Sequence, residues 1–145
     1  MHSMILPPPV PYPPRYIIDP VAFFVALIGG PLLFTALSFW ALFIPVFALG
    51  LGGPLYLVIG TPLLLCYLRR NDGDPGDLAA LAFKVMVLAL VPITLLALLI
   101  GEKEVFGFGF AFSGFGMIFG PAWAYFSGWI YQRLRREFFA KPRSF

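Results

Sequence analysis

The side chains able to do chemistry in this chain are few and far apart. Its one histidine, His2, and its one cysteine, Cys66, cannot build a metal cage or a disulfide framework, because zinc and iron–sulfur sites need several ligands and a disulfide needs a second thiol. Haem held by paired histidines is excluded on the same ground, and no cofactor is expected. Asp72, Asp74 and Asp77 suggest a calcium loop, but Gly76 occupies a ligand position and the closing bidentate Glu is missing. A solvated turn leading into a helix cap fits them better. Thr35, Ser38, Thr61, Thr94, Ser113 and Ser127 lie in apolar stretches with no His, Asp or Glu nearby to turn a hydroxyl into a nucleophile. Hydrogen bonding within or between helices is their expected role.

Lys84 is the one ionisable residue that falls inside an apolar span. A charge in a membrane is a candidate functional group by default. No acidic residue in another span is available to pair with it, and its long stem can carry the ammonium back to the interface. Proton-coupled transport of the kind that uses an intramembrane carboxylate lacks that carboxylate here.

The elements that carry these residues are read from composition. The chain is 60% hydrophobic and 12% charged, with a mean hydropathy of +0.89, whereas soluble domains carry about a quarter charged residues. No Asp, Glu, Lys or Arg occurs between Pro20 and Leu68 or between Val105 and Gln132. The run from Val21 to Cys66 is too long for one span of ~20 residues and long enough for two.

The expected fold is an all-α integral membrane protein of four transmembrane helices in two hairpins, over about 20–43, 47–68, 75–101 and 105–131. Pro45, Gly50, Gly52, Gly53 and Pro54 all offer breaks in the first hairpin, and a re-entrant pair is the alternative there. Asp19-Pro20 and Asp74-Pro75 are helix starts, with Asp as N-cap and Pro at the first helical position. Gly53-Pro54 and Gly120-Pro121, with Arg pairs closing the second and fourth helices, hint at a duplicated hairpin, although ordinary helix punctuation gives the same pattern.

Orientation follows from basic residues, which stay in the cytoplasm. Arg15, Arg69, Arg70, Lys84, Arg133, Arg135, Arg136, Lys141 and Arg143 fall on one side and Lys103 alone on the other. Both termini are therefore expected in the cytoplasm, in a multi-pass protein of a bacterial inner membrane. Arg69, Arg70, Arg133, Arg135 and Arg136, with Lys84, are candidate lipid-headgroup contacts; the net charge of +3 is read this way and not as a nucleic-acid surface.

Residues 1–19 form a proline-rich cytoplasmic tail that favours polyproline II and lacks the pattern of a cleavable signal. Pro8-Pro9-Val10-Pro11 has the spacing of a groove ligand. Residues 137–145 form a basic tail.

Gly116, Gly120, Ala124 and Gly128 recur every fourth residue, so they line one face of the last helix and permit close helix approach. Ala22, Ala26 and Gly30 make a weaker ladder on the first helix. Gly120 is expected at the centre of the seam, with Phe119 on another face. The alternating Phe106, Phe108, Phe110 and Phe112 would share one side of a strand but spread around a helix, and an aromatic helix start is expected. With small-residue faces, short loops and no catalytic constellation, the function expected is that of a non-enzymatic accessory, assembly or scaffold subunit bound to a membrane-protein partner or to its own copies. A small oligomeric channel or transporter is the alternative, supported by Pro31, Pro54, Pro62, Pro92, Pro121 and the hydroxyls.

Overall fold

A computed structural model describes residues 15–41, 43–101, 103–136 and 139; the polyproline and groove-ligand readings of the first tail and most of the basic tail lie outside them. The described residues form four helices long and apolar enough to cross a membrane: α1 (Pro20–Leu37), α2 (Ile44–Leu68), α3 (Pro75–Ile100) and α4 (Lys103–Leu134). No strand occurs among them.

The helix starts follow local chemistry. Asp19 Oδ1 accepts from the N–H groups of Val21 and Ala22, and Asp74 Oδ1 from those of Gly76 and Asp77, which satisfies donors that the first turn of a helix leaves open. Pro20 and Pro75 supply no N–H and cost no hydrogen bond at these positions. Gly101 closes α3 at φ 71°, and its N–H donates to Ala97 O.

α1 ends at Leu37 and not near residue 43. Ser38 closes its last turn, with both N–H and Oγ donating to Phe34 O. Pro45 falls in the first turn of α2, where its missing N–H costs no hydrogen bond and marks a helix start. The break falls in the turn before α2, where Phe43 takes φ 62°.

α2 is not a uniform α-helix. Its central Tyr56–Gly60 segment is a π-helix, flanked by α-helical Ile44–Leu55 and Thr61–Leu68. The Thr61 hydroxyl donates to Leu57 O at its lower edge.

α4 is the central element, and α1 and α3 pack along it far more extensively than α2 does. The hairpins are thus unequal: α3 and α4 are tightly joined, while α1 leans on α4 more than on α2. All four helices meet in one core, where Ala22, Phe23, Ala26 and Leu27 of α1 surround Leu64 and Leu68 of α2, Leu78 of α3, and Ala124 and Tyr131 of α4. That core lies at the end of the bundle carrying Arg69, Arg70, Arg135 and Arg136, here termed the basic end. Most other large apolar side chains face outward, among them Phe24, Leu88, Leu99 and Ile118. Such a surface is suited to hydrocarbon and not to water.

Candidate functional site: an apolar cleft and a stitched basic end

The small-residue ladders are occupied within the chain. A Cβ placed on Gly30 would come within 2.7 Å of Ser127 N and 2.8 Å of Trp123 O, so α1 rests directly on the backbone of α4, with Ala22 and Ala26 buried beside it. On the other side of α4, a Cβ at Gly128 would approach Pro75 Cα at 2.9 Å, and one at Gly116 would meet Met86 Sδ at 2.8 Å. Ala124 is 1% exposed. Gly120 is roomier than the sequence suggests, since its Cβ would find Met86 at an ordinary 3.6 Å. Phe119 is no neutral neighbour either: it is buried and meets Phe34 edge to face, centroids 5.7 Å apart.

α2 touches α4 mainly through Gly52 and Tyr56. The Tyr56 ring stands edge-on to Trp123 at 5.4 Å, and its hydroxyl shares a 2.9 Å hydrogen bond with Ser127 Oγ. Gly52 lets the Trp123 ring approach, because a Cβ there would lie 3.2 Å from Cη2. Beyond these contacts α2 diverges from α3 and leaves a cleft of about 520 Å³ floored by α4. Its walls include Ala48 and Gly60 of α2 and Ala82 and Ala89 of α3, and its floor includes Gly116 and Gly120. Polar lining is limited to Tyr56, Trp123 and Ser113, and Ser113 Oγ is already committed to Gly109 O. An ion or polar solute would find few partners along these walls, whereas apolar side chains would find many.

The basic end is stitched by polar contacts. Asp19 is buried, with its side chain 2% exposed, and accepts from Arg136 Nε at 2.9 Å as well as from the Arg136 backbone N–H. Its own N–H donates to Tyr131 Oη at 3.4 Å. The Arg136 hydrogen bonds hold the Asp19 carboxyl below its ordinary pKa, against the opposing effect of burial. Arg135 Nη1 reaches Asp72 Oδ1 at 2.6 Å and Asp72 O at 2.9 Å. Gly73, at φ 80°, lies against Leu68 and Tyr131, where a Cβ would come within 2.6 Å of Leu68 Cδ2.

The other candidate cations are placed differently. Arg133 lies 5.2 Å over the Trp129 ring, an arrangement suited to an interfacial pair. Lys84 is exposed on α3 and does not line the cleft. Arg69 and Arg70 line a separate groove with Arg15. Phe106 and Phe110, and likewise Phe108 and Phe112, stack along α4 at 6.3 Å and face outward, apart from the half-buried Phe112.

Sequence reasoning missed Asp19 as a tertiary ion-pair centre, because a helix cap already explained it. It also missed the Tyr56–Ser127 bond, for which no local pattern exists. No family model, curated protein or solved structure matches the chain.

Proposed function

We propose that the four helices insert in a membrane with both termini in the cytoplasm, and that the protein is a non-catalytic accessory or scaffold subunit whose cleft receives a transmembrane helix of a partner protein. The observation that carries this reading is the cleft itself, an apolar trough between α2 and α3. A helix in lipid gains nothing from hydrophobicity alone when it leaves acyl chains, so association depends on close packing against small residues. Ala48 and Gly60 of α2 and Ala82 and Ala89 of α3 put small residues on both walls of the trough. The loose attachment of α2 leaves it free to adjust to an incoming helix. The orientation rests on the distribution of lysine and arginine.

The test is photo-crosslinking from Ala48, inside the cleft, and from Leu99, exposed on α3 outside it, at native expression level, followed by native mass measurement in mild detergent. The expected result is a stoichiometric hetero-complex crosslinked from Ala48 and not from Leu99. Filling the trough with Ala89→Trp should release the partner. A monodisperse homo-oligomer that moves a solute across liposomes would replace this reading with transport.

A further inference from the structure

A second groove lies at the basic end, where the extended residues before α1 cross the end of α2. Tyr16 N donates to Arg69 O at 2.9 Å, which brings Arg15 to the same groove as Arg69 and Arg70. None of these three arginines has an ion-pair partner among the described residues. The nearby acids are placed elsewhere: Asp19 with Arg136, Asp72 with Arg135, Asp74 capping α3, and Asp77 in the first turn of α3 beside Tyr67. No Asp or Glu precedes Asp19 in the chain. Three guanidinium groups lining one groove concentrate positive charge there, which favours an anion, and their planar forks match phosphate oxygens.

Below the charges the groove turns apolar. Phe23 and Phe24 of α1 face Leu65 of α2, and the lining ends at Thr61, about 12 Å down the helix from Arg69. A free anion has no use for that floor, whereas a lipid would use both parts. We infer that this groove binds an anionic phospholipid, its phosphate held by Arg15, Arg69 and Arg70 and one acyl chain lying along Phe24 and Leu65 toward Thr61. The inference rests on the membrane insertion proposed above and is independent of the partner helix.

The test uses the full chain in a neutral detergent, offered phosphatidylglycerol and phosphatidylcholine with identical acyl chains, with retained lipid read by native mass spectrometry. Phosphatidylglycerol should be retained preferentially. Each Arg→Gln change at 15, 69 or 70 should reduce the preference roughly five-fold, and the triple change roughly 100-fold, as expected for about 1 kcal/mol per basic residue near an anionic surface. Arg15→Gln is the most telling variant, because Arg15 lies outside every helix and its loss leaves the bundle intact. Arg133→Gln, at the same end but outside the groove, should keep the preference. Thr61→Trp, which obstructs the apolar end and spares the charges, should weaken retention. Equal retention of the two lipids, or a preference unaffected by Arg15→Gln, overturns the inference. Complete displacement of phosphatidylglycerol by millimolar inorganic phosphate overturns it too, in favour of an anion site. Failure of the chain to insert into liposomes would count against the membrane reading, a result separable from the detergent experiment.

Discussion

Arg136, just past the end of α4, donates from Nε to Oδ2 of Asp19 at 2.9 Å, and so ties the last turn of the central helix to the cap of the first. The pair is lopsided, with Asp19 2% and Arg136 65% exposed at the side chain. A carboxylate that deep needs its donors, and it has them from two N-cap amides, a backbone N–H and a guanidinium. The arginine keeps access to water. The carboxylate is therefore the sensitive member: removing Asp19 opens the cap and the tether together.

This asymmetry sets a pH dependence. The Arg136 hydrogen bonds depress the Asp19 pKa in the folded chain, so its contribution to stability is present above the unfolded value, about 3.9, and is lost as the pH falls through the folded one. Thermal unfolding in detergent should show wild type losing more stability than Asp19→Asn between pH 5 and about pH 2. Asp19→Asn keeps a competent N-cap, whereas Asp19→Ala should lose about 1 kcal/mol more at neutral pH. Identical acid profiles for wild type and Asp19→Asn would refute the role of the charge.

Among the small residues of α4 and α1, Gly30 and Gly128 should be the intolerant positions, because the atoms opposite them are backbone. Gly30→Ala is expected to cost about 1–3 kcal/mol by overpacking, measured as loss of thermal stability in detergent. Gly120→Ala should be neutral or slightly stabilising, since its Cβ would meet only the flexible Met86 at ordinary distance and alanine favours helix. Phe119→Leu should be damaging, through loss of the Phe34 edge contact. A harmless Gly30→Ala beside a destructive Gly120→Ala would reverse this ranking.

Tyr56→Phe removes the side-chain hydrogen bond that joins α2 to α4 at Ser127. Such bonds in membranes average about 0.6 kcal/mol, and Ser127→Ala should cost a similar amount. The double variant should cost less than the sum, because either change alone breaks the bond. Additive losses would mean that the two hydroxyls act separately.

Reporter fusions after Phe145 and within residues 71–73 should report cytoplasm, and one near Lys103 the opposite face, as the basic-residue distribution requires. An extracytoplasmic C-terminus would overturn both the four-span topology and the orientation.

What could be read from the sequence was local. Asp74-Pro75 marks the start of α3 because a cap and its amides lie within three residues, and the apolar runs give four long helices because length and hydropathy need no knowledge of partners. The end of α1 was obscured, since several Gly and Pro residues follow and only the Ser38–Phe34 closure and the positive φ of Phe43 choose among them. Gly120 looked like the seam centre from spacing alone. The tight positions depend on which atoms of α1 and α3 lie opposite, and spacing carries no record of those. The Asp19–Arg136 tether joins residues 117 positions apart, a separation across which one sequence holds no pairing signal.

The π-helical segment Tyr56–Gly60 acts as one surplus residue in the winding of α2. An unbroken α-helix would turn Tyr56 and Leu64 about 80° apart, at about 100° per residue. Removing one residue's worth of rotation brings them within about 20° of each other. That correction allows one helix to present Tyr56 to Ser127 and Leu64 and Leu68 to the basic-end core at once. Deleting Val58, which is exposed, would let the backbone relax to regular α-helical winding while both outer segments kept their present faces. Adding a residue there would instead rotate Ile44–Leu55 by about 100° and swing the wall of the cleft away from α3. The span is therefore tolerant of shortening and intolerant of lengthening, a directional asymmetry written into five residues.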